Sequence, residues 1–278
     1  ELCMAENVLC EESIKCKVVL DAHNAEAIVY SRIVGLAANP IVKLFRFIQS
    51  RKMVRYERTV GEKVDAVFGV SPNDVVYFSE FSRHTRFVPN SVAAITKTEK
   101  ISPASTLLFT GSLQYQPNAD GLSWFLRQIW PLIRAKLPNT SFEVVARNPP
   151  RSLTELTSDG VSFLSDVDNI EPIFHRSGAM VVPVRAGGGT RYKILEGLAA
   201  GLPIVSTTLG AEGLRVIDGV HLYLRDEEQS FADAVISLLE DHEQRQRFAD
   251  AGAELIQQWY LWQRAFPVCL ETYERILQ

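Results

Sequence analysis

The chain has 278 residues, 46% of them hydrophobic and 22% charged, with a formal net charge of −4. Such proportions leave room for two ordinary domains and exclude disorder as the main state and a global nucleic-acid footprint. Cys3, Cys10, Cys16 and Cys269 form no CxxC pair, which speaks against a disulfide scaffold and a zinc site and for reduced thiols in a cytoplasmic protein.

In chain order, Lys17–Leu20 reads as a strand, Ala25 to Leu36 as a helix, and Ile41 to about Val64 as a long helix. Asp65–Val70 is the next strand, Asn73–Phe81 a helix and Arg86–Val88 a short strand. Pro89 to Pro103 is polar and aperiodic, a linker narrowed to residues 96–104. Alternation then restarts with strands at Thr106–Thr110, Phe142–Val145, Val161–Leu164, Ala179–Val184, Pro203–Ser206 and His221–Leu224. Helices lie between them, notably Ala119–Lys136 and Thr190–Ala200. Val-rich apolar strands alternating with helices imply parallel sheets covered on both faces.

Three strands before the linker and six after it predict two Rossmann-like, doubly wound α/β domains, the first incomplete. Their bounds are 1–95 and 105–258, and residues 259–278 form a helix crossing back to the first domain. The opening Glu1, with Met4 as the first methionine, fits a chain lacking the start of that domain. Trp262, Phe266, Leu270 and Tyr273 recur at helical spacing, an apolar stripe expected to dock on something. No apolar run approaches the ~18 residues of a membrane span, and no signal peptide is recognised.

The most informative segment is VPVRAGGGTRYKILEGLAAG, residues 182–201. A strand runs into Gly187–Gly189, and a helix starts near Thr190, a suitable N-cap. Glycines admit close backbone approach, and a helix N-terminus offers free N–H groups and partial positive charge, together an anion site. Arg191 and Lys193 oppose the helix dipole there unless an anion binds. Glu196, three residues beyond Lys193, presents a carboxylate on nearly the same face that can accept two bonds from a ribose diol. The bland alternative is a glycine-rich βα turn with solvated charges; the loop fits neither GxGxxG nor GxxxxGK[ST].

GGGTRYKILEGLAAGLPIVSTTLGAEGL resembles the donor-binding segment of the family 4 retaining glycosyltransferases, which have the GT-B fold. LFTGSLQYQPNADGLSWF resembles the start of their C-terminal domain, VVLDAHNAEA the N-domain strand ending in an active-site histidine, and DAVFGVSPND and FVPNSV the last N-domain strands. The likeness runs from about Val18 to Gln278. It implies a nucleotide-diphosphate sugar donor, a sugar, lipid-linked or other hydroxyl acceptor, no cofactor and no metal. It implies that Gly188, Gly189, Thr190, Arg191, Lys193, Gly111 and Ser112 hold the donor diphosphate, that Glu196 holds the ribose, and that His23 is the catalytic histidine. Two departures stand out. Gly188 takes the place of the first Glu of the family's E-x7-E motif, which touches donor-sugar hydroxyls. Ser112 and Asn118 take the places of an Arg and a Lys that grip the diphosphate, so Arg191 and Lys193 are the cations expected to balance it.

The helix at residues 40–63 carries a local charge of +5, leaving −9 for the rest. That pattern suits either peripheral contact with an anionic membrane or an ordinary solvated face. Asp166 and Asp168 form a DxD, a spacing common in loops, and the glycine loop already supplies a phosphate site. Two rivals share the fold: a nucleotide-sugar 2-epimerase, and a non-catalytic nucleotide-binding module.

Overall fold

The computed structural model describes residues 16–35, 39–93, 105–156, 159–165 and 167–278. All of the expected linker 96–104, and Asp166 of the DxD, lie outside the described residues. The first sheet holds β1 (Val19–Ala22), β2 (Ala66–Gly69) and β3 (Thr85–Phe87), all parallel and in that spatial order. Between them run α1 (Glu26–Val34), α2 (Pro40–Lys63) and α3 (Pro72–Ser79).

The second sheet holds β4 (Thr106–Thr110), β5 (Ser141–Val145), β6 (Val161–Leu164), β7 (Ala179–Val182), β8 (Ile204–Ser206) and β9 (Tyr223–Leu224). All its pairs are parallel and the spatial order is β6-β5-β4-β7-β8-β9. This is a doubly wound sheet whose winding reverses between β4 and β7, and ligands bind such sheets in the crevice beyond the strand ends at that reversal. Its connecting helices are α4 (Gln116–Trp124), α5 (Trp130–Lys136), α6 (Arg151–Thr154), α7 (Glu171–Arg176), α8 (Tyr192–Ala199), α9 (Glu228–Glu240) and α10 (His242–Leu255), and α11 (Trp262–Leu277) follows.

Burial explains why the strands are apolar throughout. Leu107 and Phe109 face a core with Phe125, Phe142 and Phe231, while Leu108 faces the opposite core with Met180, Ile194 and Ile204. Period-two alternation thus feeds two cores, so both faces must be apolar. A single π turn, Phe125–Ile129, joins α4 to α5. Pro131 has no N–H to continue the regular ladder, and the Trp130 N–H reaches back to the Phe125 carbonyl instead.

The apolar stripe on α11 departs from expectation. Trp262, Phe266, Leu270 and Tyr273 are 43–58% exposed, and the inward face is Ala265, Thr272 and Ile276. Tyr273 meets Phe68 of β2 edge-on at 5.8 Å, so α11 touches the first sheet through the margin of its stripe. Residues at the start of the expected linker are also packed. Asn90 and Ser91 are buried, and the Val92 N–H donates to the Tyr260 carbonyl at 2.8 Å.

Candidate active site

The glycine loop leaves β7 at the winding reversal. Gly187 and Gly189 have φ of 102° and 73°, in the left-handed region that costs other residues. Space is equally restrictive. A Cβ on Gly188 would lie 2.8 Å from Val29 Cγ2 of α1, and one on Gly189 would overlap the Asn24 side chain and lie 3.1 Å from the His23 carbonyl. The loop is therefore pressed against the first domain, and only glycine fits.

Among the described residues, no backbone N–H from Gly187 to Lys193 donates a hydrogen bond within the protein. The helix cap differs from the sequence reading. Residue 191, not Thr190, occupies the N-cap position and caps with no side chain. The Thr190 hydroxyl instead accepts from Asn90 Nδ2 of the first domain. The first turn of α8 thus retains free donors, the arrangement that binds anions.

Two cations converge on this end of the sheet. Arg191 Nη1 donates to the Gly188 carbonyl, while its Nε and Nη2 are buried without a well-formed hydrogen bond, near the Tyr115 hydroxyl. Desolvation pushes the Arg191 pKa down. Lys193 runs back along α8, as helical side chains do. Its Nζ donates to the Thr110 carbonyl at the end of β4 and to Asn118 Oδ1 at 3.2 Å, and lies 4.6 Å from the Phe109 ring centroid. As a residue Lys193 is half-buried, but its ammonium end is enclosed by these groups. Desolvation, with repulsion from Arg191, pushes its pKa down to about 7.

Lys193 also reaches the turn that carries positions 112 and 118. Its ammonium lies 2.6 Å from where a Cβ on Gly111 would stand, beside Asn118. Asn118 Nδ2 donates to the Ser112 carbonyl at 2.9 Å, tying the turn after β4 to the lysine. Gly111, with φ of 149°, and exposed Ser112 line a cleft of about 430 Å³ beyond β4, β5 and β6, together with Arg147, Asn148 and Ile170. Asn148 has φ of 44°, a strained value that asparagine tolerates best among residues other than glycine.

Glu196 is half-buried on α8, and burial raises its pKa against the pull of Lys193. His23 follows β1. Its side chain is 44% exposed, its Nε2 lies 3.7 Å from Asp21 Oδ2, and its carbonyl faces Gly189. The structure thus gathers Gly111, Ser112 and Lys193 at one end of β4 and Gly188, Gly189, Thr190 and Arg191 on the adjoining loop, with His23 across the loop from them. Glu196 is outside the lining of the 430 Å³ cleft.

Two buried carboxylates hold the His23 segment. Glu57 of α2, with no exposed surface, accepts from the N–H groups of Glu26 at 2.6 Å and Ala27 at 3.2 Å and from the Tyr77 hydroxyl at 2.7 Å. The N-cap of α1, Ala25, has no capping side chain, and Glu57 satisfies those donors from another helix. Asp74 accepts from the Ala25 N–H at 3.0 Å and the Ser71 hydroxyl at 2.6 Å. Burial raises both carboxyl pKa values. The S-P-x-D pattern at residues 71–74 signals a capped helix start, but nothing local in the sequence ties Glu57 or Asp74 to the His23 segment. Arg32 and Glu212 were also missed. They line a smaller cavity of about 180 Å³ between the domains, with Asp74, Gly188 and Gly189. No cluster of metal-ligating side chains occurs among the described residues.

Residues 104–241 match the family model described as Glycosyl transferases group 1. An uncharacterised 44.6 kDa protein in the cps region of Klebsiella pneumoniae is 22% identical over 93% of this chain and 72% of its own length. Phosphatidyl-myo-inositol mannosyltransferase of Mycobacterium leprae is 27% identical over 62% of this chain, and the match spans 46% of that relative. The crystal structure of Anabaena HepE in complex with UDP and glucose superposes with a TM-score of 0.68 and 14% identity, over 94% of this chain and 72% of that one. The match and the fold agree with the doubly wound second sheet and its glycine loop: the chain has the GT-B fold, and its residues 104–241 are similar to the glycosyl transferases group 1 family.

Proposed function

We propose that this chain transfers a sugar from a nucleoside-diphosphate donor to an acceptor hydroxyl, with retention of configuration. One observation carries the reading: unpartnered N–H groups of the glycine loop, the incompletely bonded Arg191 and the enclosed Lys193 all converge at the winding reversal. The 430 Å³ cleft beside it suits the nucleotide base. The UDP bound to the HepE fold is in keeping with this.

In such a transfer the diphosphate departs as positive charge develops on the sugar. Donors and cations fixed at the loop stabilise the leaving group without reorganising. These protein cations supply the charge that a metal supplies elsewhere, so no cofactor is required. Glu196 accepts from the ribose diol, His23 approaches the donor sugar from the first domain, and the leaving phosphate takes the acceptor proton. Gly188 carries no carboxylate, so sugar hydroxyls are read by other groups.

The acceptor side points to a lipid surface. No described helix is long and apolar enough to cross a membrane. Yet the start of α2 exposes Ile41, Leu44, Phe45, Phe47 and Ile48 beside Lys43 and Arg46, and no acidic residue lies between Glu26 and Glu57. Apolar side chains among cations suit peripheral contact with anionic headgroups on the cytoplasmic face. Co-sedimentation with phosphatidylglycerol vesicles but not phosphatidylcholine vesicles tests this contact.

The test of the activity is incubation with UDP- and GDP-sugars and hydroxyl acceptors, with the product's anomeric configuration read by NMR. Retained transfer is expected, insensitive to chelators. An inverted product, or conversion of the free donor to its 2-epimer without acceptor, overturns the reading.

A further inference from the structure

The glycine loop is held from the first domain as well as from its own helix. Arg32, on α1, forms a two-pronged ion pair with Glu212 of the second domain, with Nη2 to Oε1 at 2.8 Å. Its Nη1 also donates to the Gly187 carbonyl at 3.0 Å. Both side chains are about two-thirds buried, at 33% and 28% exposure. A planar guanidinium can serve a carboxylate and a carbonyl together, which an ammonium on a flexible stem cannot do with the same geometry.

The carbonyl contact has a direct consequence for the next amide. All the peptide bonds here are trans, so the Gly187 carbonyl and the Gly188 N–H point in opposite directions. Arg32 draws the carbonyl toward the first domain and so turns the Gly188 N–H away from it. Arg191 Nη1 does the same for the Gly188 carbonyl and hence for the Gly189 N–H. Two guanidiniums, one from each domain, therefore fix successive amides of a loop whose glycines would otherwise rotate freely.

We propose that Arg32, locked by Glu212, is a positioning residue for the diphosphate loop, and that through it the first domain sets diphosphate affinity without touching the ligand. The proposal rests on the loop being the diphosphate site, as argued above. The anchor is rigid because α1 is itself fixed by Glu57 at its N-terminus. A simple interdomain ion pair would stabilise the fold and leave ligand discrimination alone, and this difference is measurable.

The test compares full-length wild type, Arg32→Ala, Arg32→Lys and the double variant Arg32→Ala/Glu212→Gln, which leaves no unpaired carboxylate. Affinities for the nucleoside diphosphate and monophosphate are measured with UDP and UMP, or GDP and GMP if the protein prefers guanine. Backbone amide order parameters of Gly187, Gly188 and Gly189 are measured by NMR relaxation without ligand. Arg32→Ala and the double variant are expected to weaken the diphosphate at least tenfold and the monophosphate less than twofold, with lower order parameters at these glycines. Arg32→Lys should recover part of the loss, because an amine reaches one of the two acceptors. Equal weakening of both nucleotides, or order parameters unchanged from wild type, overturns the proposal. Should wild type bind both nucleotides equally, the diphosphate reading fails by itself, and the order parameters still decide the role of Arg32.

Discussion

Replacing Lys193 with methionine keeps the length of the side chain and removes the charge. In the ligand-free protein the lost contacts are the bonds to the Thr110 carbonyl and, at 3.2 Å, to Asn118 Oδ1. Neither accounts for placing an ammonium between Asn118 and the Phe109 ring. With a diphosphate bound, the loss is a charge-assisted contact of ~1.5–3 kcal/mol, roughly ten- to a hundredfold in affinity. Nucleoside affinity should change less than twofold. The pH profile adds an independent mark. Lys193 in the free protein titrates at about 7, and the diphosphate favours its protonated form. Affinity is therefore greatest below pH 7. Above it, binding must take up a proton, and each further pH unit costs up to about 1.4 kcal/mol. Folding stability of the free protein runs the other way. The unfolded lysine keeps its proton up to the ordinary value of 10.5 and the folded one releases it near 7, so the unfolded state binds more protons in that window and stability rises with pH across it. Calorimetric titration in buffers of differing ionisation enthalpy, and thermal melts from pH 6 to 9, read both slopes. Lys193→Met should abolish both. A methionine variant that retains the wild-type pH profile, or loses nucleoside and diphosphate affinity alike, would refute the assignment.

Three further outcomes are expected. Glu196→Ala should lower ribonucleotide affinity at least tenfold and 2′,3′-dideoxynucleotide affinity much less, because two charged hydrogen bonds of ~1.5–3 kcal/mol each need the diol; equal losses in titrations of the two ligands would defeat the ribose role. His23→Ala should reduce turnover far more than nucleotide affinity, since the residue faces the loop from the other domain; steady-state rates beside binding constants check this. Glu57→Ala should destabilise the fold by ~3–5 kcal/mol, leaving two α1 donors and the Tyr77 hydroxyl without their acceptor, as chemical denaturation would show.

Some of this was legible in the sequence, and the physics says which part. Doubly covered strands must be apolar throughout, so the runs at Thr106–Thr110 and Ala179–Val182 stand out without any long-range information. The glycine loop is legible because its glycines, cations and helix start are contiguous. The cap at Thr190 was misplaced because Thr190 is engaged by Asn90, distant in sequence. The α11 stripe shows a limit of periodicity: a moment tells which face is apolar, not whether anything covers it. Arg32 and Glu212 are 180 residues apart and obey no local rule, so only the folded chain reveals their pairing. The same holds for Glu57, whose role as a cap depends on α2 crossing the start of α1.

On the proposed function, the uncharged residues at 112 and 118 reflect a cation moved rather than lost. Lys193 reaches the end of β4 from α8, and Asn118 is its acceptor as well as the donor to the Ser112 carbonyl. A lysine at 118 would bring a second ammonium against the first, in a place where desolvation already holds Lys193 well below its ordinary pKa. Coulomb repulsion between unit charges ~4 Å apart is about 4 kcal/mol at the effective dielectric of a protein surface, more than one added phosphate contact returns. Asn118→Lys alone should therefore weaken diphosphate binding and lower thermal stability, despite restoring the family's residue type. Combined with Lys193→Met, the same substitution leaves one cation at the site, and diphosphate affinity should return to within a few-fold of wild type. Titration of the two single variants and the double variant forms a closed cycle, and an additive result would mean that the two positions do not share one charge site.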